Sequence, residues 1–300
     1  MGIAKSALLG MRYAAANGVE FKNTLMVARL AILMKKNELK RILGITGGGG
    51  VNDLYDSTNK FPYAEWIFKY FGAETVDSID YSDYEGANII HDMNMPVPET
   101  LKNRYDCVWD GGTLEHVFNY PAATRNCMDM VKPGGHLILE TPSNNCFGHG
   151  LYQFSPELFF SLLDKHNGFS ETKIFIQCGF NRCYEVISPK IIKMRTSICC
   201  TKEPAMLFVI SRKISEVPDT ISVLQSDYVD TWNATKDKEN SKQNKFTMKY
   251  FEELYFRLVP RKLQSVDLAM FGMGILSKFL VTKKKMYRPA PEFLHPQKKI

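Results

Sequence analysis

The sequence predicts an α/β fold: a mostly parallel seven-stranded sheet, doubly wound with helices on both faces, an antiparallel edge, and a helical C-terminal extension. Three observations predict it. Short apolar runs alternate with amphipathic, helix-length segments from residue 19 to residue 163, the pattern of strand–helix crossovers. Two later apolar runs, TKIFIQC (172–178) and AMLFVISRK (205–213), have no full crossover helix between them, which argues for an antiparallel edge. Beyond residue 214 the texture turns polar and then amphipathic and basic, so a core domain is expected over 1–213 and a linker with a basic helical tail over 214–300.

The elements follow in order. Residues 4–16 predict a helix with Leu8, Leu9 and Met11 on its apolar side and Asn17-Gly18 as its stop. VEFKNTLMVAR (19–29) contains a strand centred on 24–28. Asn37 is the expected cap of a short helix carrying Leu39, Ile42 and Leu43, which Gly44 closes. ITGGGG (45–50) then follows a helix end rather than a strand, so its glycines predict a connecting loop. Residues 63–71 form a helix with Trp66, Ile67, Tyr70 and Phe71 inward. Strands are expected at ETVDSIDYS (74–82), ANIIHDMN (87–94), YDCVWDGG (105–112) and HLILETP (136–142). Between the last two, Asn119 and Pro121 start a helix that Pro133-Gly134-Gly135 stops; Ser155-Pro156-Glu157 opens another.

Composition narrows the function. A net charge of +6 over 300 residues, without a long basic stripe interleaved with aromatics, gives no case for nucleic acid. Seven cysteines without a CxxC pair suggest neither a disulfide framework nor a metal site, and fit a reducing cytoplasm. No secretory signal or membrane span is expected. The basic tail is a candidate for docking on the core, homodimerisation or peripheral contact with an anionic membrane.

In an open parallel sheet, ligands bind beyond the carboxyl ends of the strands. That rule selects Val27, Ala28 and Arg29; Asp80 and Ser82; Asp92 and Met93; and the stretch Asp110 to His116. Three of the four places present a carboxylate. A carboxylate after the second strand accepts both hydroxyls of a ribose, and one after the next accepts an adenine amino group.

YDCVWDGGTLEHVFNYPAATRNCMDMVKPGGHLILETP (105–142) resembles the class I S-adenosylmethionine-dependent methyltransferases. Its pieces are an acid-containing strand, Leu-Glu-His-Val, a helix, Lys-Pro-Gly-Gly and an apolar strand. The resemblance covers residues 21–213, implies a Rossmann-like fold, and extends to a bacterial subgroup often associated with surface-polysaccharide biosynthesis. It implies S-adenosylmethionine as cofactor, Asp80 on the ribose, Asp92 with Met93 on the adenine, and Asp110 with Gly111 beside the methionine part. Leu114 and Glu115 line the pocket with His116, and Asp106 is structural. The first-strand loop departs from the subgroup, with Ala28 where glycine is usual. The acceptor is expected to be a glycan, glycan precursor or small metabolite, methylated on oxygen or nitrogen, with Asp110, His116 and His149 as candidate bases. Two other readings stand beside this one. A methyltransferase-like binding module with a degenerate site would explain Ala28. A nicotinamide-dependent sugar oxidoreductase built on GGGG lacks the usual Tyr-x-x-x-Lys pair, since none of the 14 tyrosines has lysine four residues later.

Overall fold

The computed structural model describes residues 2–46, 50–55, 61–179, 182–192, 203–236 and 287–294. Gly47, Gly48, Gly49 and the amphipathic stretch 246–281 lie outside the described residues. The chain divides into two compact units, one of residues 1–186, 200–223 and 289–300, the other of 187–199 and 224–288.

The first unit carries the sheet. In chain order its elements are β1 (Gly2–Ile3), α1 (Lys5–Ala16), β2 (Asn23–Val27), β3 (Ala31–Ile32), α2 (Lys36–Leu43), α3 (Val51–Leu54), α4 (Glu65–Tyr70), β4 (Thr75–Asp80), β5 (Ile89–Ile90), β6 (Tyr105–Gly111), α5 (Tyr120–Met130), β7 (Val131–Asn144), α6 (Pro156–Leu162), β8 (Phe169–Cys178), β9 (Arg182–Val186) and β10 (Ala205–Lys213). The strands run in the order β9-β8-β10-β7-β6-β2-β4-β5. β5, β4, β2, β6 and β7 are mutually parallel, whereas β10 is antiparallel to both β7 and β8. With β11 (Tyr287–Pro289) this sheet has nine strands among the described residues, and β1 and β3 pair in parallel as a separate two-stranded sheet. The second unit contains α7 (Pro189–Ile192) and α8 (Ser226–Lys236).

The expected architecture is present, with corrections. β9 and β11 raise the count above seven; β9 pairs antiparallel with β8 towards the edge, but β10 is antiparallel and internal, filling the gap between β7 and β8. The reason is topological. β7 and β8 are not paired with each other, so the last long strand inserts between two earlier ones instead of adding to an edge. Pro133-Gly134-Gly135 does not precede its strand but bulges within β7, where the partner of Tyr105 is Val131 and that of Cys107 is His136. α2 begins after Lys35 rather than at Asn37, with no side-chain cap, and Gly44 closes it at φ 70° as expected. On α4, Ile67 and Phe68 are buried and Tyr70 is exposed; Phe68 takes the place expected of Tyr70, its ring edge-on to Trp109. β5 is only two residues long because Asn88 turns its side chain to β4, accepting the Ser78 N–H at 2.6 Å and donating to Asp77 at 2.6 Å. Within the stretch expected to open with a linker, Ser226–Lys236 is helical.

The core on one face of the sheet joins α1, α2 and α4 to β2, β6 and β10. Chain positions far apart meet there. Phe293, on α9 (Pro291–Leu294), is fully buried against the rings of Phe175, Phe208 and Tyr13. Asp106 is structural, as expected: it accepts the backbone N–H and side-chain amide of Asn23 and pairs with Lys132.

Candidate functional site

The register places the carboxyl ends of the central strands on one level. Val27 pairs with Ile79 on one side and Asp110 on the other, and Asp80 pairs with Ile90. With neighbouring strands ~4.8 Å apart, Asp80 and Asp110 flank the end of β2 at about 10 Å, a nucleoside's span.

Each selected residue has a definite setting. Asp80 accepts the Tyr81 N–H on Oδ1 at 2.7 Å, and Oδ2 has no protein partner among the described residues. Ser82 is exposed. Asp92 accepts the backbone and side-chain N–H groups of Asn94 on Oδ1, which hold its pKa below the usual carboxylate value. Met93 is buried beside it. The Ala28 N–H donates to Ile79 O at 2.8 Å, and the residue is fully buried at φ 63°. That left-handed turn costs an alanine about 1–2 kcal/mol, a cost that glycine would avoid. The Arg29 guanidinium is committed to Glu65 at 2.7 Å and Glu85 O at 2.9 Å, and lies over the Tyr63 ring. It therefore fixes the loop between β4 and β5.

At the end of β6 the electrostatics change. Asp110 is fully buried; Oδ1 accepts the Thr113 N–H at 2.9 Å, and the Thr113 hydroxyl donates to Val27 O at 2.8 Å. Burial, and then the neighbouring Glu115 charge, push the Asp110 carboxyl well above the usual carboxylate range. Leu114 and Glu115 are buried in the 3-10 turn Leu114–His116. Asp110 Oδ2, both Glu115 oxygens, Tyr120 Oη and Thr141 Oγ1 are buried without a hydrogen-bond partner among the described residues. Buried polar groups are ordinarily paired, so this concentration marks a place where a ligand or ordered water supplies the partners.

The loop after β7 closes on this turn. The Leu151 N–H donates to Glu115 O at 2.8 Å, and the Tyr152 hydroxyl to Phe118 O at 2.7 Å. His149 Nε2 lies 3.3 Å from Glu115 Oε1, close enough for an ion pair but without hydrogen-bond alignment. The His116 and His149 rings meet edge-to-face at 5.3 Å. Gly150 makes this possible: at φ 73°, a Cβ there would stand 2.8 Å from Glu115 Cγ. Gly150→Ala is expected to cost about 1–3 kcal/mol in chemical denaturation. Gly148→Ala, whose added carbon would meet nothing within 4 Å, should stay within ~0.5 kcal/mol of wild type.

Sequence reasoning missed Glu140. It is buried on β7, accepts the Ser6 hydroxyl at 2.7 Å, and burial raises its pKa to about 7. The signal was a lone acid inside HLILETP. At the opposite ends of the strands, a cleft lined by Gly134, His136, Glu171 and Arg212 is a less suitable site, because its charges already pair: Arg212 with Glu171, Lys132 with Asp106.

Residues 20–174, just over half of the 300, match a family model described as a methyltransferase domain. The chain belongs to this methyltransferase family. No curated protein matches it. Among solved structures, the methyltransferase resembles a SAM-dependent methyltransferase from Archaeoglobus fulgidus (12% identity, TM-score 0.40), covering 70% of this chain and 95% of that one. The 1,6-didemethyltoxoflavin-N1-methyltransferase of Burkholderia thailandensis, with 1,6-didemethyltoxoflavin and S-adenosylhomocysteine bound, is 13% identical at TM-score 0.37, covering 70% of this chain and 80% of that one. The N-methyltransferase NodS of Bradyrhizobium japonicum is 12% identical at TM-score 0.35, covering 70% and 95%. Family membership rests on the model match. In the methyltransferase no helix among the described residues is long and apolar enough to cross a membrane.

Proposed function

We propose that the protein transfers a methyl group from S-adenosylmethionine to an oxygen or nitrogen of a glycan, glycan precursor or small metabolite in the cytoplasm. The observation that carries this reading is the set of carboxylates on one level at the ends of β4 and β6, with Asp110 Oδ2 buried and unpartnered. The residues fit the cofactor's chemistry: a cation is the natural partner of an uncompensated buried carboxylate, and the cofactor carries a sulfonium and an ammonium.

The chain's own groups divide the work. Asp80, with one oxygen free, binds the ribose hydroxyls; Asp92 and Met93 hold the adenine; Val27, Ala28, Gly111 and Leu114 wall the pocket. Asp110 holds the positive end in place. When bound, the cofactor supplies an activated methyl group whose transfer leaves a neutral thioether. The protein aligns the acceptor in line with that methyl and excludes water. The Glu115, His116 and His149 cluster activates the acceptor, whose proton leaves as the new bond forms. Family membership favours this reading over nicotinamide chemistry.

Calorimetry with S-adenosylmethionine and S-adenosylhomocysteine tests it. Both should bind, and Asp80→Ala should weaken binding by about 1–3 kcal/mol. Absence of binding by either compound would leave a degenerate binding module as the better description.

A further inference from the structure

We propose that Glu115, His116 and His149 form a binding site for a divalent transition-metal ion. Their donor atoms, a carboxylate oxygen and two imidazole nitrogens, all lie within 4.8 Å of one another. A metal bonded at ~2.0–2.2 Å to each donor needs them about 3–4 Å apart. Both imidazoles are exposed, so small side-chain rotations close the difference.

Three further features point to a cation. Glu115 is fully buried, yet neither carboxylate oxygen has an aligned hydrogen bond among the described residues. A carboxylate so placed is costly unless a positive charge compensates it. The two rings meet at 64° rather than stacking, an orientation open to two ligands converging on one centre. The backbone presets the arrangement: Leu151 N–H holds the loop on Glu115 O at 2.8 Å, and Gly150 gives up its side chain to that contact. Glu115 and His116 are adjacent while His149 lies far along the chain, so no ligand spacing in the sequence betrays the set.

Two nitrogens and one oxygen, with no thiolate, suit zinc and its neighbours in the first transition row. Three protein ligands leave a position open. In the methyl-transfer reading, and resting on it, that position takes the acceptor's hydroxyl or amine, lowers its pKa and orients it toward the methyl. Metal binding itself does not depend on that reading.

The test uses the full-length protein stripped with EDTA and dialysed. Zn²⁺ is titrated in competition with a chromogenic chelator. One equivalent should bind, and His116→Ala and His149→Ala should each weaken it by about tenfold or more. His166→Ala, in the separate turn Lys165–Asn167, should leave it unchanged. Both variants alter exposed side chains, and circular dichroism checks their folding. No Zn²⁺ binding, or equal affinity in wild type and both variants, overturns the proposal. S-adenosylmethionine binding is measured on the same samples. Cofactor binding without Zn²⁺ binding removes the metal site alone; Zn²⁺ binding without cofactor binding removes the methyl-transfer reading alone.

Discussion

Lys213→Met is expected to destabilise the protein by roughly 3–5 kcal/mol. Lys213 ends β10 fully enclosed, and its ammonium donates to Asn103 Oδ1, Met128 O and Val131 O at 2.7–2.9 Å, with Asp129 O at 3.3 Å. These carbonyls belong to the last turn of α5 and the start of β7, where a helix dipole also favours a cation. Burial pulls the lysine's pKa down to about 8, so the group stays mainly charged at neutral pH. Methionine fills similar space but leaves several buried acceptors without a donor. Urea denaturation should show a lower midpoint at unchanged slope. A loss below about 1 kcal/mol would mean that water replaces the ammonium and that the cap is dispensable.

The second large effect is a pH dependence. The Glu140 carboxyl rises from 4.5 to about 7, first through burial and then through the nearby Glu115 charge, with the Ser6 hydroxyl opposing. Between these values the folded protein holds a proton that the unfolded chain has released. Stability from this group is therefore fully present below pH 4.5, declines as pH rises, and is gone above about 7. The span corresponds to about 3 kcal/mol. Asp110 and Glu115 are raised too and carry the same sign, so the wild-type slope contains their shares. Glu140→Gln keeps an acceptor for Ser6 and isolates the difference. Measured in EDTA from pH 5 to pH 8, the variant should lose distinctly less stability than wild type. Parallel curves would show that the carboxyl is ionised throughout.

Much of the fold was legible because its signals are local. YDCVWDG and AMLFVISRK are apolar runs with sharp polar ends, and they match β6 and β10. Ser155 before Pro156 starts α6 by accepting the Glu157 N–H. What could not be read depends on what the chain meets later. Nothing around residues 205–213 says that β10 wedges between two older strands. The left-handed turn at Ala28 was visible only as an oddity of composition, and Gly150 as one glycine among several. The strand-end rule selected Asp80, Asp92 and Asp110 from position alone, and the register puts Asp80 and Asp110 at the ends of β4 and β6. The cluster of Glu115 with two histidines needed the β7 loop to fold back, a contact without periodicity or spacing to announce it.

The internal position of β10 also sets an order of events during synthesis. Until residues 205–213 leave the ribosome, β7 has a bare edge and β8 can pair only with β9. Both are exposed strand edges of the kind that recruits other chains. Phe293 follows Lys213 by 80 residues and then joins Tyr13, Phe175 and Phe208. The nascent chain therefore completes this core only once Phe293 has emerged, and the interval before that is when it most needs a chaperone.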